Sequence, residues 1–515
     1  MLRQLYLWHR WLGIILCLFM AAWFISGVVM LFVGYPKLTP AEHLERLPEL
    51  NLSSENCCIN VAEALERTGK TNTPSNIKLS SIAGKAYYLF SYRSGPVIAI
   101  NAATGEKLAS ADKNLALASA DAFYQGDKPA EYLGLIERDA WTQSRGLDNE
   151  RPLHAVRIHD EAERILYLSS HSGMVVRDAT FTERSWGWLG AWLHWLYPVR
   201  HLSWWAELVI YLSLAGTFTS LIGQYLGLKR WRFSKVYKNG SHSPYISHFT
   251  YWHHIIGLVF GIFLIAWVFS GLMSMRPWNL LSTPTSLETN NYHGDITASF
   301  ASPPATKDLL KAFQNKGMSV SELEWVIVDN QAWVTAYEGS GHSQTLAMTQ
   351  PNQIFDTLPV NVLEKAVGNI STTHQATSSW LTNYDFYYVA REQQSMYGSQ
   401  HRPLPIMRVK FDDTENTWYH INPFNGNILQ VVTESQRANR WLFNLLHSWD
   451  WHVLLSRPWL REGLMILFSL GGFIISITGV VLGYRRLVRK FAHNKKPQRK
   501  SNAEAFNLNG GPTRT

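Results

Sequence analysis

The sequence predicts an α-helical membrane protein: a four-helix transmembrane core, two outer α+β modules and an internal two-fold repeat. Three observations predict it. Four apolar stretches reach spanning length, at about 11–33, 204–226, 255–275 and 462–483, since roughly 20 apolar residues cross the hydrocarbon core. Hydrophobic residues make up only 46% of the 515, and mean hydropathy is −0.12, so long polar stretches remain for water-facing domains. The two halves of the chain also carry the same short motifs in the same order.

The chain divides, in order, into a first spanning helix (1–33), a first outer module (34–186), an interfacial segment with a second span (187–230), a basic loop (231–250), a third span (251–275), a second outer module (276–440), an interfacial segment with a fourth span (441–490), and a polar tail expected to be disordered (491–515). The first stretch is too long for a signal-peptide core and lacks a small-residue cleavage site, so it reads as a retained helix. Lys229, Arg230, Arg232, Lys235 and Lys238 lie between spans two and three, and Arg485, Arg486, Arg489, Lys490, Lys495, Lys496, Arg499 and Lys500 follow span four. The positive-inside rule places both clusters, and with them both termini, on the cytoplasmic side of the membrane. The long loops then lie outside. These flanks largely account for the net charge of +8, which therefore gives no argument for nucleic acid.

The outer loops alternate apolar and polar residues around Gly turns, as strands do. Pro96 to Gly105, Ile165 to Val176 and Thr417 to Leu429 each read as strand, turn and second strand, while Asn60 to Arg67 reads as a helix. Three cysteines make no disulfide framework. Cys17 lies in the first span; the adjacent Cys57 and Cys58 are open to two readings, a vicinal disulfide or two free thiols.

The repeat is clearest at histidines. His9 lies four residues before Gly13 and seventeen before Ser26-Gly27; His253 stands in the same relation to Gly257 and Ser270-Gly271. Before the partner spans, Trp192-Leu-His194-Trp-Leu matches Leu445-Leu-His447-Ser-Trp, and those spans end in Gly223-x3-Gly227 and Gly479-x3-Gly483. Small residues at this spacing let helices approach closely, and simple packing is the favoured reading of these glycines. A lone histidine at a helix end most often caps carbonyls. Four that fall into two equivalent pairs are harder to explain as independent caps, and ionisable groups at a membrane face point to function.

Paired imidazoles at one depth are what axial ligation of a membrane haem requires. His9 with His253 would make an inner pair, and His194 with His447 an outer pair, so the expected cofactor is haem b, two per chain. His254, beside His253, and His201 are alternates, as is His452. The competing use is zinc or copper transport, which calls for polar groups along the pathway. The span interiors are almost free of Asp, Glu and His, with Glu207 and Glu462 near the outer ends, and this favours an electron relay. Trp11, Trp23, Trp267 and other tryptophans beside the spans read equally as interfacial anchors. His154, His159, His171, His293, His342, His374, His401 and His420 read as ordinary surface residues. Tyr384-Asp-Phe-Tyr-Tyr388 with Pro403-Leu-Pro405 and Arg408 forms an aromatic-polar patch, either domain core or a surface for a protein or peptide. No hydrolase or nucleotide-binding motif stands in a convincing context, and no catalytic residue is singled out.

With these residues assembled, the chain resembles the PepSY-associated transmembrane family of iron-regulated bacterial inner-membrane proteins. The matching pieces are His9-Arg-Trp-Leu-Gly13 with Ser26-Gly27, His194-Trp-Leu-Tyr197, His253-His-Ile-Ile-Gly257 with Ser270-Gly-Leu-Met-Ser-Met-Arg-Pro277, Tyr384 to Tyr388, Tyr419-His-Ile-Asn-Pro423 with Gly426, and Arg440-Trp441 through His447 to Arg457-Pro458. They cover nearly the whole chain except the tail. The resemblance implies two periplasmic PepSY-like modules and similarity to haem-containing ferric-siderophore reductases. Its implied partners are a ferric siderophore or other ferric chelate, the lipid bilayer and a cytoplasmic electron donor. The same modules are elsewhere linked to protease inhibition, so the alternative is a membrane-anchored binding or regulatory protein without redox activity.

Overall fold

The computed structural model describes residues 2–52, 57–126, 128–285 and 287–494. Four long helices dominate: α1 (Leu2–Phe32), α2 (Trp205–Arg230), α3 (His248–Ser274) and α4 (Pro458–Asn494). All four are long and apolar enough to cross a membrane. In lipid a spanning backbone has to satisfy its own hydrogen bonds, and the helix does so within one segment. The helices outrun the apolar stretches, α1 by starting at Leu2 and α4 by running to Asn494. An apolar window stops at the first charged residues, whereas backbone hydrogen bonding does not. The tail expected to be disordered lies, from residue 495, outside the described residues.

The chain forms two compact units, one of Met1–Ala21, Ala215–Leu264 and Gly471–Thr515, the other of Ala22–Leu214 and Ile265–Leu470. Among its described residues, the first unit consists of one end of each long helix with the loop between α2 and α3. The second holds the other ends, the interfacial segments and three antiparallel sheets.

The strands are β1 (Asn76–Ile82), β2 (Lys85–Ser91), β3 (Ile98–Asn101), β4 (Ala130–Ile136), β5 (Leu153–Ile158), β6 (Ile165–Ser169), β7 (Val175–Ala179), β8 (Val320–Val328), β9 (Gln331–Glu338), β10 (Ser343–Ala347), β11 (Ile354–Phe355), β12 (Ala376–Leu381), β13 (Ile406–Phe411), β14 (Trp418–Ile421) and β15 (Ile428–Val432). One sheet runs β4-β5-β6-β7 and another β12-β13-β14-β15, while the largest has the order β11-β10-β9-β8-β1-β2-β3. The large sheet draws strands from both of the loops expected to form modules, 34–186 and 276–440. Strands of both loops meet where β1 pairs β8, with Ile77 opposite Trp325 and Leu79 opposite Leu323.

The reason lies in β8, whose nine residues are all buried. A strand buried on both faces needs neighbours on both edges, and this one carries two carboxylates that need partners. Lys78 Nζ lies 2.5 Å from Glu322 Oε1, and Asn76 Nδ2 donates to Glu324 at 2.7 Å, both from β1. Tyr337, Asn425 and Asn427 donate to Glu324 as well. One apolar core covers a face of this sheet, gathering Leu79, Phe90 and Ile100 with Leu309, Phe313 and Trp325. A second joins Val326, Val328 and Trp333 to Met407, Val409 and Tyr419 of the β12–β15 sheet through the helix Val360–Ile370. The helix Lys113–Phe123 packs its Ala120 and Phe123 on the β4–β7 sheet. Cys57 and Cys58 are joined in a disulfide beside the first of these cores.

The interfacial segments share an unusual backbone. Trp188–Trp192 and Trp441–Leu445 are π-type turns, the local widening that recurs at functional sites. Each is followed by a histidine, His194 or His447, and two residues later by a left-handed residue, Leu196 or Trp449, both at φ 52°. The chain turns sharply there before re-entering a spanning helix.

Candidate functional site

The histidines converge in pairs. In the first unit the rings of His9 on α1 and His253 on α3 have centroids 6.3 Å apart. In the second, the rings of His194 and His447 stand 6.1 Å apart. All four are half-buried.

Carbonyl acceptors fix the tautomer of the His9 and His253 rings, and hydroxyl partners favour the same tautomer in His194 and His447. His9 Nδ1 lies 3.1 Å from the Thr219 carbonyl, and His253 Nδ1 lies 3.1 Å from the Ile475 carbonyl and 2.9 Å from Thr478 Oγ1. A carbonyl only accepts, so Nδ1–H donates. In the outer pair Nδ1 of His194 meets Ser26 Oγ at 3.0 Å, and that of His447 meets Ser270 Oγ at 3.1 Å. Those hydroxyls already donate within their own helix, Ser26 to the Ala22 carbonyl and Ser270 to that of Trp267. Here too, therefore, the imidazole is the donor. With the proton on Nδ1 of a neutral ring, Nε2 carries a bare lone pair. No hydrogen bond reaches any of the four Nε2 atoms among the described residues. A ring held through one nitrogen with the other left as acceptor is how proteins prepare a metal-binding histidine.

The spacing is that of two imidazoles sharing one metal ion. Metal–imidazole bonds run about 2 Å and the ring centre lies roughly 1 Å further on, so two rings sharing one metal have centroids about 6 Å apart. Both pairs meet that separation. A metal-centred cofactor taking two imidazole ligands would be held by His9 with His253 and by His194 with His447. Among the described residues no three His, Cys, Asp or Glu converge.

Glycines give each ring its space. A Cβ on Gly223 of α2 would come within 2.6 Å of His9 Cε1, and one on Gly479 of α4 would lie 3.6 Å from His253 Cε1 and overlap Cys17 Sγ. Gly27 and Gly271 face His194 and His447, with Cβ positions 3.6 and 3.7 Å from Cε1. The packing reading of the glycines is therefore refined. Gly227 against Leu258 and Gly483 against Ile14 do serve helix contact, but the leading glycine of each pair abuts an imidazole.

Sequence reasoning missed the tryptophan supports. Trp23 Nε1 donates to the His194 carbonyl and Trp267 Nε1 to that of His447, both at 3.0 Å. The signal was present as Trp-x-x-Ser-Gly at 23–27 and at 267–271.

The two adjacent histidines of α3 part ways. His254 is spent in full: Nε2 meets the Gly227 carbonyl at 2.9 Å and Nδ1 meets Ser243 Oγ at 2.8 Å. It pins the 231–247 loop to the helix, and of the two only His253 keeps Nε2 available. His201 and His452 are exposed.

Two outer histidines read as surface residues are in fact buried, His154 at 4% and His420 at 0% exposure. His154 bridges Tyr132 OH and the Ala111 carbonyl. His420 Nε2 accepts from Arg408 Nε at 2.8 Å, and burial followed by the Arg408 charge pushes its pKa down to about 3. The Tyr384–Tyr388 patch covers this face of the β12–β15 sheet. Asp385 takes a two-pronged hydrogen bond from Arg408, which outweighs burial and lowers the carboxyl pKa. Phe386 stacks on Trp441 at 4.3 Å, which links the patch to the segment bearing His447.

No known family model matches the chain, and no curated protein matches it.

Proposed function

We propose that the protein is a haem b oxidoreductase of the bacterial inner membrane that passes electrons across the bilayer to reduce ferric siderophores or other ferric chelates in the periplasm. The observation that carries this reading is the pair of facing imidazole couples, each ring with Nδ1–H donated and Nε2 bare. His9 with His253 and His194 with His447 would hold haem, which would supply a one-electron couple suited to electron transfer. The chain's part is to hold the four rings at fixed tautomer and spacing. Thr219, Ile475, Ser26 and Ser270 fix the tautomers, and Gly223, Gly479, Gly27 and Gly271 leave the rings room. Matched supports in the two halves favour a duplicated plan, with PepSY-like modules outside and both termini in the cytoplasm.

In the outward reaction one electron from a cytoplasmic donor reduces Fe(III) in the chelate to Fe(II). The divalent ion binds hard oxygen donors less strongly, so the metal is released. The test uses proteoliposomes containing the full chain. Reductant is supplied on the side of the basic loop, ferric chelate on the other, and a ferrous trap reports release. Release that depends on His9 and His447 supports the reading, and equal release from vesicles lacking the protein overturns it.

A second reading, a membrane-anchored binding protein without redox activity, draws on β12. This edge strand is exposed at five of its six positions, and such edges accept an added peptide strand. A visible spectrum separates the two, because only the first gives sharp α and β bands on reduction.

A further inference from the structure

Around the segment that carries His447 lies a buried charge network in which arginines outnumber the carboxylates they pair with. Arg391 binds Asp450 and Glu392, Arg461 binds Glu392 at 3.2 Å, and Arg440 Nη1 lies 3.7 Å from Asp450. Three guanidinium groups thus share two carboxylates. Asp450 is 1% exposed, and the Arg391, Arg461 and Arg440 side chains are 8%, 6% and 17% exposed. Water therefore does little for these guanidinium groups, and a charge left without a partner in such a place is strongly unfavourable. Glu462 adds negative charge near Arg461 and Asp385 near Arg440, without an ion pair to either among the described residues. Arg440 also has donor capacity to spare. Nε is used on the Phe386 carbonyl, yet Nη2 is buried and unpartnered among the described residues.

The network brackets the outer imidazole. Arg440 stands seven residues before His447 in a continuous helical run, and Asp450 three residues after it. From α4, Arg461 donates twice to the carbonyl of Ser448, the next residue after His447, at 3.0 and 2.8 Å. A spare guanidinium fork two helical turns along the run from His447 suits a planar anion, since Arg matches carboxylate geometry with two parallel hydrogen bonds.

We infer that Arg440 seats a carboxylate of the cofactor held by His194 and His447, namely a haem propionate, with Arg391 and Arg461 holding the network in place. The inference rests on the haem reading above. One carboxylate satisfies the free Nη2 donor and adds negative charge to a cluster in which three guanidinium groups pair with two carboxylates. The same anion chemistry is available from an acidic lipid headgroup, so the experiment has to separate the two sources.

The full chain carrying His253→Ala, in which only the outer pair is complete, is freed of haem in nanodiscs of neutral lipid and titrated with haem b or its dimethyl ester. The free acid is expected to bind at least ten-fold more tightly. Arg440→Met should abolish that preference, and Arg440→Lys, which keeps a charge but not the fork, should restore part of it. Equal binding of acid and ester before the Arg440 change, or a preference that survives Arg440→Met, overturns the inference while leaving the haem reading intact. A preference that appears only when acidic lipid is added assigns the arginine to lipid and also overturns it. Failure of both forms to bind removes this inference together with the haem reading.

Discussion

Nδ1 of His194 lies 3.0 Å from Oγ of Ser26, a hydroxyl whose own proton is already given to the Ala22 carbonyl. The imidazole is therefore the donor, and its other nitrogen is left bare. His447 and Ser270 repeat the relation at 3.1 Å.

Ser26→Ala removes the acceptor and leaves a half-buried N–H without a partner, a loss of about 1–3 kcal/mol. Supports of this kind change metal affinity by roughly 10–100-fold. Haem titration of Ser26→Ala should show weakened outer binding with the inner equivalent unchanged. Ser26→Thr, which keeps the acceptor, should bind almost normally.

The glycines predict a graded series. Gly223→Ala drives a methyl to 2.6 Å from His9 Cε1, and overpacking of this kind costs about 1–3 kcal/mol; inner haem content should fall. At Gly27 the new methyl meets His194 at 3.6 Å, an ordinary contact, so Gly27→Ala should be mild. A methyl added at Gly257 would meet nothing within 4 Å, and Gly257→Ala should be neutral or stabilise its helix by up to about 1 kcal/mol. Spectra of the three purified variants check the order.

His253 and His254 should separate cleanly. His253→Ala is expected to lose the inner haem equivalent. His254→Ala is expected to retain it but to free the 231–247 loop, which His254 holds through Ser243 and Gly227. Limited proteolysis of that loop, run beside haem quantification, gives both readouts on one sample.

The seam between β1 and β8 makes the outer unit acid-sensitive. Burial opposes ionisation of Glu322, but Lys78, followed by His43, overcomes it and holds the pKa at about 2, below the ordinary 4.5. Between those values the unfolded chain binds more protons than the folded one, so this stability is complete above about pH 4.5 and is lost as pH falls toward 2. The contribution is on the order of 2–3 kcal/mol. Thermal unfolding followed by tryptophan fluorescence should show the loss, and Glu322→Gln should remove this pH dependence and lower stability at neutral pH.

The four long apolar helices were legible in the sequence from hydropathy, and the pairing of the four histidines from the matched spacing of their motifs. The acceptors for His9 and His253 were not, since the Thr219 and Ile475 carbonyls are backbone atoms that carry no residue signature. The large sheet was hidden for another reason. Ile77 and Trp325 pair across some 250 positions, and nothing local to either strand names its partner. In hindsight the two glutamates in the apolar run of β8 were the clue, because a buried carboxylate has to find a donor such as Lys78 or Asn76. The burial of His154 and His420 likewise depended on partners brought in by the fold, namely Tyr132 and Arg408.

The most direct measurement of the central claim is haem stoichiometry by pyridine haemochrome assay on the purified chain, its His9→Ala variant and its His447→Ala variant. Two imidazole pairs that each hold one haem should give two haem equivalents in the first and about one in each variant, with all three proteins inserted in the membrane. Equal haem content in the three, or none in the unaltered protein, would contradict that claim.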